Sequence, residues 1–156
     1  YNVYYAEEKK PLGTAGGLKL LNEKFSEPIF VTNCDIIIKT DYHKFLKFHE
    51  EGKFDLSLIA AAKSYEIPYG TCEIDKNGLL TSINEKPVYN FLTNTGLYVL
   101  NPSVLEYIPE DTFFHITHLI SALIKDGKKV GVYPVSDDSW FDVGQWKDYQ
   151  INKDSI

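Results

Sequence analysis

Two acidic residues stand where an open α/β sheet would place a metal. Asp35 closes the apolar run Ile29-Phe30-Val31-Thr32-Asn33-Cys34-Asp35. Ligands of such sheets gather at the carboxyl ends of the strands, and a carboxylate there can hold Mg²⁺ together with substrate phosphate oxygens. The plainer role for Asp35 is capping a turn through its side chain. Asp142 lies in Trp140-Phe141-Asp142-Val143-Gly144, just ahead of a helical pattern. Its plainer role is a helix-start charge favoured by the macrodipole. Taken together the two acids make a metal clamp, a stronger idea than either residue alone.

Three further groups suit a phosphorylated ligand. Pro11-Leu12-Gly13-Thr14-Ala15-Gly16-Gly17 is a glycine-rich turn running into a helix. Its N–H groups can approach a ligand closely. Its spacing is neither a Walker loop nor a dinucleotide fingerprint, and it can equally be a simple helix start. Lys86, in Asn84-Glu85-Lys86-Pro87, is either a point charge for a phosphate or a solvated strand-end lysine. Tyr69-Gly70 and Asn94-Thr95-Gly96 supply small or hydrogen-bonding residues beside strands, with turn and strand packing as the alternative. His43, His49, His115 and His118 have no third ligand partner in the pattern and read as solvated helix residues. No Ser/His/Asp or Cys/His arrangement stands out.

The elements that must position these residues alternate between strand and helix patterns, which predicts an α/β fold. Strands are expected at 2–5, 29–32 (buried), 56–62 (central, covered on both faces), 94–100 and 129–134. The pair 71–75 and 79–84, joined by Lys76-Asn77-Gly78, reads as a hairpin with a type I′ turn. Helices are expected at 14–24, from an Asp41 cap to just before Gly52, from Pro102 to about Ile108, at 114–125 with Leu119, Ile120, Leu123 and Ile124 inward, and at 145–151. No linker interrupts this pattern, so residues 1–156 read as one domain.

Composition narrows the function. A net charge of −6 argues against a nucleic-acid partner held on a basic face. No apolar run approaches the ~20 residues of a membrane span. Two cysteines, Cys34 and Cys72, make no disulfide framework or metal spacing, so a cytoplasmic setting is expected. Met is absent, which suggests a fragment of a longer protein.

In their order along the chain, these segments resemble the sugar-phosphate nucleotidyltransferase family, from about Glu8 to Tyr149. Leu12-Gly13-Thr14-Ala15-Gly16 is similar to its nucleobase-binding turn. Asn33-Cys34-Asp35 is similar to its metal-binding Asn-Gly-Asp, with Cys where the family has Gly. Tyr69-Gly70, Glu85-Lys86-Pro87 and Asn94-Thr95-Gly96 resemble its sugar and sugar-phosphate contacts, and Trp140 to Gly144 its second metal carboxylate. The form of the first turn is similar to the mannose-1-phosphate guanylyltransferase branch.

The resemblance implies a mostly parallel sheet flanked by helices on both faces, a Rossmann-like nucleotide-diphospho-sugar transferase fold. It implies transfer of a nucleoside monophosphate from a nucleoside triphosphate to a sugar 1-phosphate. Asp35 and Asp142 would hold Mg²⁺, and Lys86 would fix the sugar phosphate. Leu12, Gly13 and Thr14 would read the base. Tyr69, Gly70, Glu85, Asn94, Thr95 and Gly96 would line the sugar site. The family's first strands and Gly-rich phosphate loop have no counterpart in these residues, so the expectation is a chain inactive alone and prone to homo-oligomerise through an uncovered edge. Two rivals stand beside this reading: a non-catalytic or regulatory module on the same fold, and a metal-dependent glycosyltransferase. The Asn at position 33 counts against the latter, which should show an Asp-x-Asp pair.

Overall fold

The apolar run after Phe54 becomes the longest central element of the protein. The computed structural model describes residues 2–21 and 25–144. Its main sheet contains β1 (Ile29–Thr32), β3 (Leu56–Glu66), β6 (Val88–Leu100) and β7 (Val130–Ser136), in the order β1-β6-β3-β7. β3 pairs parallel with β7, whereas β6 runs antiparallel to both β1 and β3. Three strands thus share one direction, and the reversed β6 makes the sheet mixed. The reversal follows from the connection: β3 reaches β6 through a hairpin, β4 (Thr71–Ile74) and β5 (Leu80–Asn84), with no helical crossover to turn the chain again. A separate two-stranded piece joins β2 (Ile36–Ile38) to β8 (Trp140–Asp142).

Period-two alternation sends side chains to two cores. Leu56, Tyr98 and Leu100 pack with Leu119 and Leu123 of α3 (Ile116–Lys125) and with Ala15 of the short α1 (Gly13–Gly16). Ile59, Leu97 and Val99 pack on the other face with Phe45 of α2 (Tyr42–Gly52) and Ile38 of β2. Helices therefore cover both faces, as expected. Asp41 caps α2, its carboxylate accepting from the N–H groups of His43 and Lys44. A 3₁₀ segment at Pro102–Tyr107 links β6 to the loop before α3.

Several sequence expectations need correction. Residues 2–5 form no strand, because no described strand offers them a ladder, and Val3, Tyr4 and Tyr5 are exposed. The helix expected at 14–24 is only α1 followed by a 3₁₀ turn, Gly17–Leu20, with residues 22–24 outside the described set. β1 is not fully buried, since among the described residues it has a single ladder partner and Phe30 is exposed. Ile124 faces outward. α2 includes Gly52 and stops at the left-handed Lys53.

The hairpin turn is not type I′, because of its two central candidates only Gly78 has positive φ. The Asp75 carboxylate accepts from the N–H groups of Asn77 and Leu79 and holds a local turn, and the ladder shifts register between Glu73 and Ile74. His49 is not solvated. It is 1% exposed, with Nδ1 2.9 Å from Ser57 Oγ and Nε2 3.2 Å from Asn101 Oδ1. The helix expected at 145–151 lies outside the described residues.

Candidate active site

Asp35 and Asp142 are brought together by the β2–β8 pair. Ile36 pairs with Asp142, and Val143 donates its N–H to the Asp35 carbonyl at 2.9 Å. Asp142 Oδ1 accepts the Gly144 N–H at 3.0 Å. The most telling geometry is at Gly144. A Cβ placed there would stand 2.6 Å from Asp35 Oδ2 and 3.2 Å from Asp142 Oδ1. Both carboxylates therefore crowd one point that only a glycine leaves open. Two unit negative charges at such range repel by roughly 4 kcal/mol at 4 Å in a surface-like dielectric, a cost that a divalent cation reverses. Hard oxygen donors, few in number, fit Mg²⁺, which keeps waters and substrate oxygens for its remaining positions. Among the described residues no group of three or more His, Cys, Asp or Glu is placed to hold a metal, so a cation here would have two protein carboxylates and would draw its other ligands from water or substrate.

Asn33 and the Asn94-Thr95-Gly96 segment adjoin Asp35. The Asn33 N–H donates to the Gly96 carbonyl at 3.0 Å. Gly96 has φ +90°, and a Cβ on it would come 2.8 Å from Asn33 Nδ2, so both conformation and space demand glycine. Asn94 accepts from the Gly96 N–H and donates to the Tyr98 hydroxyl at 2.8 Å. That leaves it one amide hydrogen and further acceptor capacity for a ligand. Burial pushes the Tyr98 phenol above its ordinary pKa of 10.0, and the Asn94 bond opposes the shift.

Thr95, expected among the sugar contacts, is buried instead. It is 2% exposed, and its hydroxyl donates to the Ile59 carbonyl at 2.9 Å. That bond falls where the β3–β6 register breaks between Leu58 and Ala60, so Thr95 fastens the bulge that sets the position of Asn94 and Gly96.

Glu85, Lys86, Tyr69 and Gly70 form a second group around the base of the hairpin. A Cβ on Gly70 would lie 3.1 Å from Glu85 Oε2, so these two residues converge. Lys86 is exposed at φ +42°, in the turn between β5 and β6. Tyr69 is 74% exposed. The hairpin leaves β3 and enters β6 at the carboxyl edge of the parallel strands, the edge on which β1 delivers Asp35.

The glycine-rich turn forms a third group, docked on the start of α3. Ala15 and Gly16 donate to the Phe114 carbonyl, and Thr14 Oγ1 accepts the Ile116 N–H at 3.0 Å. Gly13 has φ +78° and would meet Phe114 O at 2.9 Å if it carried a Cβ. Leu12 is an anchor rather than a ligand contact. It is 3% exposed, its N–H donates to Glu8 Oε2, and its carbonyl accepts from Phe114. Of the three residues expected to read a base, only Thr14 is exposed. His118 is exposed, as expected, and its Nδ1 accepts the His115 N–H at 3.3 Å at the start of α3. α3 ends near the start of β7, so its capped end and the docked turn point toward the opposite, carboxyl edge.

Sequence reasoning missed Gly144 as a site residue. Its place after a carboxylate was visible, but its requirement for open space comes from Asp35, far away in the chain.

Comparison with known proteins shows the family. A family model described as nucleotidyl transferase matches residues 1–155. A mannose-1-phosphate guanyltransferase of Pichia angusta is 34% identical over 95% of this chain and 42% of its own length. A UTP–glucose-1-phosphate uridylyltransferase of Synechocystis is also 34% identical, over 90% of this chain and 38% of its own length. The chain thus spans about two fifths of the curated relatives it matches. The crystal structure of HddC from Yersinia pseudotuberculosis superposes with a TM-score of 0.66 at 25% identity, covering 95% of this chain and 64% of that one. No described helix is long and apolar enough to cross a membrane.

Proposed function

This chain belongs to the nucleotidyl transferase family, and on that premise we propose that its protein joins a sugar 1-phosphate to a nucleoside triphosphate with release of pyrophosphate. The observation that carries the reading is the meeting of Asp35 and Asp142 around the open point at Gly144. An oxygen of the sugar phosphate attacks the α-phosphorus as the bond to pyrophosphate breaks. The nucleophile is already an anion, so no side chain has to remove a proton. Catalysis rests on positioning and on neutralising charge.

Asp35 and Asp142 hold Mg²⁺, which when bound supplies positive charge to the phosphate oxygens. Lys86 fixes the sugar phosphate. Glu85 and Asn94 take sugar hydroxyls, and Gly70 lets the sugar lie against the backbone. Gly13 and Thr14 read the base, on a turn that Leu12 anchors. Guanine with mannose 1-phosphate, or uracil with glucose 1-phosphate, follows from likeness to the Pichia angusta guanyltransferase and the Synechocystis uridylyltransferase, each 34% identical.

The test is pyrophosphate release by the full-length protein with Mg²⁺ and a panel of triphosphates and sugar 1-phosphates, for the wild type, Asp35→Asn and Asp142→Asn. Loss of activity in both variants is expected. Full activity in either, with the protein folded, overturns the mechanism.

A further inference from the structure

β8 is three residues long, and so is the β2 strand that pairs with it. An isolated two-stranded piece of that size has little stability of its own. Among the described residues no ladder ties it to the main sheet, so beyond the packing of Ile36, Ile38 and Trp140 on Ile59, Leu97 and Val99 its register depends on side-chain ties. Yet it carries Asp142, which must be held against Asp35 within a fraction of an ångström to share a ligand.

Two lysines sit on its aromatic residues. Lys63, on β3 of the main sheet, has its Nζ 4.8 Å from the centre of the Trp140 ring. The same Nζ is 3.1 Å from Asp137 Oδ1, in the turn that leads into β8. Lys39, just past β2, has its Nζ 4.8 Å from the centre of the Phe141 ring, and its N–H donates to the Ser139 carbonyl at 2.8 Å. Trp140 and Phe141 are successive strand residues, so their side chains leave opposite faces. The lysines therefore hold β8 from both sides. Lys63 is the more informative of the two, because its side chain is only 27% exposed and it bridges from the main sheet to the small one.

We infer that Lys63 is a positioning residue for the Asp142 carboxylate: its ion pair with Asp137 and its seat on Trp140 fix β8 in the register that brings Asp142 to Asp35. It touches no substrate in this role. The inference rests on the reading of Asp35 and Asp142 as a divalent-metal clamp.

The experiment uses the full-length protein, with Mn²⁺ binding followed by electron paramagnetic resonance and folding by circular dichroism. Lys63→Ala should weaken Mn²⁺ binding about threefold to tenfold, the range expected for losing one ring-seated cation and its partner. The Mg²⁺ concentration for half-maximal activity should rise in parallel, with KM for the sugar 1-phosphate unchanged. Lys63→Arg should restore binding, since a guanidinium can also lie on the indole and pair with Asp137. Asp142→Asn is the control and should lose Mn²⁺ binding. If Lys63→Ala binds Mn²⁺ as the wild type does while Asp142→Asn does not, Lys63 has no positioning role. If Asp142→Asn also binds normally, the metal reading itself fails and the inference goes with it. Should Lys63→Ala not fold, Asp137→Asn decides: weaker Mn²⁺ binding at an unchanged melting temperature supports the tie, and wild-type binding overturns it.

Discussion

Replacing Gly144 by alanine separates steric placement of the carboxylates from every other role of that residue. Gly144 does not have positive φ, so an alanine there meets no backbone strain. Its Cβ would, however, lie 2.6 Å from Asp35 Oδ2. To regain ordinary van der Waals contact that oxygen must retreat by about 1 Å. Asp35 is exposed and can turn away, so the fold should barely register the change, within about 0.5 kcal/mol for a surface substitution. A displacement of about 1 Å at a reacting centre costs about 10²-fold in rate. Gly144→Ala in the full-length protein should therefore lose about 10²-fold in pyrophosphate release and bind Mn²⁺ more weakly, at an unchanged melting temperature. Gly78→Ala is the matched control, with φ +86° and nothing within 4 Å of the added Cβ. It should cost about 1 kcal/mol of stability and leave activity intact. Wild-type turnover and metal affinity in Gly144→Ala would refute the claim that the open point at Gly144 is where the two carboxylates work together.

Thr95→Val should lower stability by about 1–3 kcal/mol, because the buried Ile59 carbonyl loses its donor. KM for both substrates should hold steady in the folded variant, and a raised KM without loss of stability would return Thr95 to the sugar site. Lys86→Met should raise KM for the sugar 1-phosphate about tenfold or more, as expected when a charge-assisted bond is lost, and leave KM for the triphosphate near its wild-type value. Equal effects on both would show that Lys86 does not discriminate between the two phosphates. The N–H groups of Leu79 and Asn77 hold the Asp75 carboxyl below its ordinary pKa of 3.8. With the folded value depressed, its support for the hairpin is present above pH 3.8 and is lost as pH falls through the lower, folded value. Amide exchange in residues 75–80 should therefore accelerate below that pH, and Asp75→Ala should show the acceleration already at neutral pH.

What could be read in the sequence was what local pattern controls. The apolar run of β3, the Asp41 cap and the strand through Asn94 to Leu100 each express a local composition or a side chain that acts within a few residues, and each appears where expected. Where the reading failed, the deciding partner was remote or outside the pattern. Residues 2–5 have strand-like composition but no ladder to join. Thr95 looks like a ligand-facing residue until the β3–β6 bulge brings the Ile59 carbonyl within reach of its hydroxyl. Leu12 sits in a motif that suggests contact with a base, while its own N–H and carbonyl are taken by Glu8 and Phe114.

The two acids show the same division from the other side. Each stands at or beside the end of an apolar segment, a place that local pattern can mark. Their convergence depends on Asp142 pairing with Ile36 across most of the chain, and such a pairing leaves no local period to detect. The pattern nevertheless records it at one residue. Gly144 has no turn that requires its φ, so its lack of a side chain is explained only by a neighbour that fills the space, and that neighbour is the Asp35 carboxylate. A glycine without a conformational reason, beside an acid, is thus the trace that a remote close approach leaves in a sequence. The same logic applies to Gly70 against Glu85 Oε2, where a Cβ would stand at 3.1 Å and no positive φ accounts for the residue. Gly70→Ala should therefore perturb the proposed sugar subsite without strain in the backbone. It should raise KM for the sugar 1-phosphate while leaving Mn²⁺ binding at Asp35 and Asp142 as it is. A variant that lost both together would show that the two groups of residues do not act as separate subsites.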